Sequence, residues 1–113
     1  PAGTEPATPG SLTESERRHV PVITMPERVR VGRPFDLAIQ IGVVPHEQSE
    51  AHHITWIDVC LDEARVFVAD LTPALAYPIL RVPLTLEGRT TLSVRARCNQ
   101  HGVWIPRRVV TPS

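Results

Sequence analysis

The chain has 113 residues, 42% of them apolar, enough for one globular unit with a single core but not for two. Lysine plus arginine balances aspartate plus glutamate at 12 each, so no global field draws the protein to nucleic acid, a membrane surface or a strongly charged partner. No apolar run approaches a membrane span, no signal peptide stands at the start, and two cysteines, Cys60 and Cys98, are too few for a disulfide scaffold. Both are read as reduced. The expected compartment is the cytoplasm, or the periplasm if a targeting segment was removed before Pro1.

Residues 1–14 are rich in proline, glycine, serine and threonine and lack apolar periodicity, which marks a flexible N-terminal arm ahead of one domain over residues 15–113. From His19 onward, short β-branched segments alternate with proline, glycine or acidic turns, and no helical period is present. Strands are expected at Val20–Thr24, Arg28–Val31, Phe35–Gly42, His53–Leu61, Arg65–Leu71, Ile79–Leu84, Thr90–Cys98 and Val103–Val109. Short strands at this spacing predict an all-β, immunoglobulin-like sandwich. Exposed sandwich edges make a homo-oligomer plausible.

Alternation sets the faces. Phe35, Leu37, Ile39 and Ile41 share one side of their strand, with Asp36 and Gln40 on the other. Leu92, Val94, Ala96 and Cys98 fall on one parity and Ser93, Arg95 and Arg97 on the opposite one, which turns the Cys98 sulfur toward the core. A sheltered thiolate needs a cation. Gly102 can take positive φ, allowing a sharp turn that carries His101 back toward a metal held by Cys98, three residues earlier.

Further imidazoles stand upstream at His19, His46 and His52. The last two bracket the polar segment Glu47-Gln48-Ser49-Glu50-Ala51, which reads as a loop at the end of the sandwich. One thiolate with four imidazoles suits a first-row transition metal, and five protein donors exceed the four of a typical zinc cage, which favours iron. His53 neighbours His52 but points the opposite way on a strand, so it is read as non-ligating. Cys60, at the end of an apolar run, is read as a small buried hydrophobe.

The runs His19-Val20-Pro21-Val22-Ile23, Pro45-His46 with His52-His53-Ile54-Thr55-Trp56-Ile57, and Cys98-Asn99-Gln100-His101-Gly102-Val103-Trp104 resemble the iron-binding signatures of the superoxide reductases. The resemblance, over about Glu16 to Trp104, is to the one-iron neelaredoxin type, since the rubredoxin-type domain of desulfoferrodoxin has no counterpart here. It implies an immunoglobulin-like sandwich with one iron per chain, cycling between Fe2+ and Fe3+. Four equatorial histidines, His19, His46, His52 and His101, would hold it together with axial Cys98, leaving the sixth position open. Superoxide would be reduced there by one electron to hydrogen peroxide without release of dioxygen, and a rubredoxin-like donor would return the electron.

The resemblance is incomplete beside the first histidine. The family usually has glutamate and lysine there, whereas this chain reads Glu16-Arg17-Arg18-His19. Arg18 keeps the charge that would attract superoxide, but its guanidinium does not release a proton, so water that it orders must serve. Glu16 lies one residue early and could close the sixth position only through a shifted loop. The alternative to an enzyme is a non-catalytic immunoglobulin-like module that binds a structural metal such as zinc, or a partner.

Overall fold

The computed structural model describes residues 13–113. All but the last two residues of the expected arm lie outside that range. Of those two, Thr13 is the N-cap and Glu14 the first residue of a short helix, α1 (Glu14–His19). The helix departs from the strand-only expectation. Thr13 Oγ1 accepts the Glu16 N–H at 3.1 Å while Glu16 Oε1 accepts the Thr13 N–H at 3.0 Å, a reciprocal cap that satisfies two backbone donors. Arg17, Arg18 and His19 then occupy the last turn, where the helix dipole favours positive charge.

Eight strands follow among the described residues: β1 (Pro21–Thr24), β2 (Phe35–Ile41), β3 (Ile54–Leu61), β4 (Ala64–Asp70), β5 (Ile79–Leu84), β6 (Thr90–Cys98), β7 (Gly102–Trp104) and β8 (Arg107–Val110). All pairings are antiparallel. One sheet has the order β1-β2-β5; the other runs β4-β3-β6-β7, with β8 also paired to β6. This is the immunoglobulin-like sandwich that the strand spacing predicts.

Two expected strands differ. Residues 28–31 form no strand: only Val29 of that stretch is buried, and its backbone ties to the chain's end through Val31 N–H to Ser113 O (3.2 Å) and Ser113 N–H to Val29 O (2.9 Å). The expected Val103–Val109 strand divides at Ile105-Pro106, since proline cannot donate to the ladder. Its two halves flank successive stretches of β6.

The core lies between the sheets. Phe35, Leu37, Ile39 and Ile41 of β2 are buried, as are Leu92, Val94, Ala96 and Cys98 of β6, so the period-2 pattern selects the inner face as expected. On β3 a register shift between Ile54 and Trp56 lets both Ile54 and Ile57 point inward. Each such side chain contributes roughly 1.5–3 kcal/mol by leaving water. Cys98 ends this buried row at 0% exposure, so the core itself forms the floor beneath the sulfur.

The outer face of β3 and β6 carries a buried charge. Asp58, fully buried, accepts from Arg95 Nε at 3.0 Å, Arg95 Nη2 at 2.5 Å and Arg65 Nε at 3.1 Å, and the Arg95 guanidinium lies 5.4 Å from the Trp56 ring centre. Arg95→Met should cost about 3 kcal/mol in urea denaturation at neutral pH, because it leaves a buried carboxylate with one partly exposed cation. Among the described residues no helix is long and apolar enough to cross a membrane.

Candidate metal centre

α1 ends on His19, whose ring is buried at 2% exposure. The helix is strapped to the segment after β2 by Gly42 N–H to Val20 O (2.8 Å) and Val43 N–H to Arg17 O (2.7 Å). Gly42 sits at φ +88°, and a Cβ there would come within 2.7 Å of Arg18 O and closer still to Val44 O. Only glycine permits that approach. The same turn delivers His46, whose N–H bonds Ile41 O at 2.8 Å.

The loop from Glu47 to His53 is held from inside. Gln48 pairs with the Ile54 backbone through both amide atoms (2.7 and 3.1 Å), and Ser49 pairs with His52 through N–H to O (3.0 Å) and through its hydroxyl, which accepts the His52 N–H at 3.1 Å. Beyond Cys98, Gly102 takes φ +80° as its turn requires. That turn is clamped to the histidine loop: Asn99 Oδ1 accepts the His53 N–H (3.0 Å), while Asn99 Nδ2 (3.1 Å) and Gln100 Nε2 (2.6 Å) both donate to Ala51 O. The Asn99 N–H goes to His53 O at 3.1 Å, so it is committed to this clamp rather than to the Cys98 sulfur.

These segments bring four of the five expected donors together. Ligand-capable atoms of His19, His52, Cys98 and His101 all lie within 4.8 Å of one another. His19 Nε2 is 3.1 Å from His101 Nδ1, which is 3.5 Å from Cys98 Sγ. His46 falls outside that tight group but lies against it, its Nε2 3.7 Å from Cys98 Sγ and its ring centre 4.5 Å from that of His52 and 5.0 Å from that of His19.

The hydrogen bonds fix which nitrogen faces inward. His46 Nδ1 meets Glu47 O at 2.6 Å and His52 Nδ1 meets Glu47 Oε1 at 3.0 Å, leaving each Nε2 for the centre. His52 Nε2, like His53 Nδ1 and Trp104 Nε1, is buried with no hydrogen-bond partner among the described residues, and of the three only His52 belongs to the converging donor group. Burial first, and then the neighbouring His52 and His19, lower the His46 pKa from its ordinary 6.5, which favours the neutral ring that a metal needs. A thiolate with several imidazoles fits iron.

The family profile described as Desulfoferrodoxin matches residues 11–107. The chain belongs to the desulfoferrodoxin family. A desulfoferrodoxin homolog of Methanothermobacter thermautotrophicus is 36% identical over 87 residues, 77% of this chain and 61% of that protein. Another, of Archaeoglobus fulgidus, is 33% identical over 91 residues, 80% of this chain and 63% of that one. The chain thus spans under two thirds of these two relatives. A solved structure, superoxide reductase (neelaredoxin) from Ignicoccus hospitalis, superposes with a TM-score of 0.77 at 28% identity, covering 84% of this chain and 81% of that one.

Within this desulfoferrodoxin domain, the other expected residues stand apart from the donor cluster. Glu16 Oε1 is engaged in the α1 cap, so reaching the centre would require opening that cap. Arg18 lines a cleft of about 370 Å³ with Val44, Pro45, His46, Glu47 and His52, and pairs with Glu14 at 3.0 Å on the exposed helix surface. His53 is outside the cluster of donors. Cys60 is buried on β3, and burial followed by the Asp58 carboxylate pushes its thiol pKa up, which keeps it protonated and inert. Sequence reasoning missed Trp104, whose ring stacks on His19 at 5.1 Å and 8°, although its place at the end of the third motif was a signal. It also missed Glu47, treated only as loop.

His53→Ala should leave metal content per chain unchanged by elemental analysis, whereas a loss would show His53 to be a ligand. Acid should also act in a defined direction. Because the folded pKa of His46 is depressed, the stability tied to its neutral form is present above 6.5 and is lost as pH falls through the lower folded value. Metal retained after gel filtration should therefore fall as pH drops below 6.5, and a flat profile would contradict that role for His46.

Proposed function

We propose that this chain is a superoxide reductase whose centre is one iron held by His19, His46, His52, His101 and Cys98. The observation that carries this reading is the convergence of the buried Cys98 sulfur with the His19, His52 and His101 imidazoles, His46 alongside, beside a cleft that Cys98 does not line. Membership of the desulfoferrodoxin family and the likeness to a neelaredoxin structure support it. Bound there, ferrous iron would supply one electron to superoxide, which with two protons leaves as hydrogen peroxide, and would itself become ferric.

The chain's residues prepare that event. Cys98 presents its sulfur from the core side, where solvent is excluded, and a thiolate donates electron density strongly to a metal. His46 and His52 are oriented through their outer nitrogens, which meet Glu47 O and Glu47 Oε1. On the cleft side Arg18 places a permanent positive charge beside His46 and His52, suited to attracting a small anion. Its ion pair with Glu14 joins two exposed side chains, so solvent screening leaves much of that charge available. Arginine cannot deliver the protons at neutral pH, so they come from water at the open cleft.

An external one-electron donor of the rubredoxin type completes the cycle, in the cytoplasm. Exposed Val66 and Val68 on the edge strand β4 support assembly into a homo-oligomer.

Cys98→Ser should abolish the visible sulfur-to-ferric absorption and lower superoxide reduction at least about 100-fold, since both depend on the thiolate. An unchanged oxidised spectrum would overturn ligation through the Cys98 sulfur. Arg18→Ala should slow superoxide capture by about 2–10-fold at low ionic strength and flatten its salt dependence in pulse radiolysis. Equal rates at every salt concentration would remove the steering role.

A further inference from the structure

Glu47 touches two of the proposed ligands by two different atoms. Its backbone oxygen meets His46 Nδ1 at 2.6 Å, and its carboxylate Oε1 meets His52 Nδ1 at 3.0 Å. The second carboxylate oxygen accepts the Ser49 hydroxyl at 3.0 Å, and that same hydroxyl accepts the His52 N–H. One residue, its carboxylate steadied by a serine, thus sets the outer face of two rings whose inner nitrogens converge with Cys98. We propose that Glu47 is a positioning residue of the metal centre, holding His46 and His52 with Nδ1 protonated and Nε2 bare and setting its carboxylate directly against His52.

The physical argument concerns tautomers. A neutral imidazole carries one proton on either nitrogen, and an acceptor placed at Nδ1 selects the form whose Nε2 lone pair is available. For His46 the acceptor is a neutral carbonyl, which no side-chain substitution removes. For His52 it is a carboxylate, which also makes Nε2 a stronger donor and favours the higher charge state of a bound metal. Ser49 bonds the far oxygen, so the carboxylate cannot easily rotate away from the ring. Glu47 is exposed and lies outside the core, so replacing it should leave the sandwich intact.

This inference rests on the reading of the cluster as a metal centre, but not on superoxide turnover. The test compares full-length wild type, Glu47→Gln and Glu47→Ala in three measurements. They are anaerobic ferrous-iron affinity against a competing chelator, the midpoint potential of the iron-loaded proteins, and imidazole nitrogen NMR shifts of the zinc-loaded proteins. Glu47→Gln keeps an acceptor for His52 and can donate its amide to Ser49, so affinity should stay within about threefold, the His52 nitrogen shifts should match wild type, and the potential should rise with the lost charge. Glu47→Ala removes the acceptor as well, so iron affinity should fall about 10–100-fold and the His52 shifts should move, with the thermal midpoint of the metal-free protein unchanged. Wild-type affinity, potential and nitrogen shifts in Glu47→Ala would overturn the positioning role while leaving the metal centre standing. A wild-type chain that takes up no ferrous iron would overturn both.

Discussion

Several electron-pair donors must point at one small volume, and like ends of dipoles crowded together in a dry place repel one another. That constraint governs the upper end of this sandwich. A cation relieves it, but each donor must be delivered without a proton in the way and each ring must find an acceptor on its outer side. The local structure meets these requirements one by one: α1 terminates on His19, Gly42 lets the helix and the His46 turn touch, Glu47 occupies the outer nitrogens of two rings, and Asn99 ties the Cys98 turn to the histidine loop.

The core and the centre are one mechanical unit. Cys98 is the last inward residue of a row that begins with Leu92, so the sulfur is positioned by the same packing that stabilises the sheets. On the opposite face of β3 and β6, Asp58 with its two arginines fixes the alignment of these strands a few residues below the site. The shift between Ile54 and Trp56 occurs just where β3 emerges from the histidine loop, so that Ile54 and Ile57 both remain inside. Specificity of register is the most useful thing a buried ion pair can supply here.

Legibility followed the length of the pattern. β2 and β6 run long enough for alternation to declare the inner face, and the Cys98-to-His101 spacing with Gly102 forecast the turn. α1 has six residues, too few for a period to register, and its only advertisement is the Thr13-to-Glu16 cap, which begins inside the proline- and serine-rich arm. Val29 and Val31 imitate alternation, yet only Val29 is buried, and the stretch meets Ser113 instead of a neighbouring strand. Glu47 was invisible for a different reason: which atom of a loop glutamate faces which ring nitrogen depends on loop closure, and residue order does not encode it locally. That Cys98 and the four histidines make a metal's donor set was legible from residue type and spacing, and the family likeness added which role each would take.

The proposed ligands differ sharply in how they are held. His19 is sandwiched face to face with Trp104 and sealed from water, and His46 is nearly as enclosed, whereas His101 rides an exposed hairpin tip with Gly102 behind it. Any exchange of a bound ion would then begin at the surface imidazole, the donor that solvent already reaches, while the enclosed donors keep their grip. The residues around that tip, more than those in the interior, would govern how quickly a captured ion escapes.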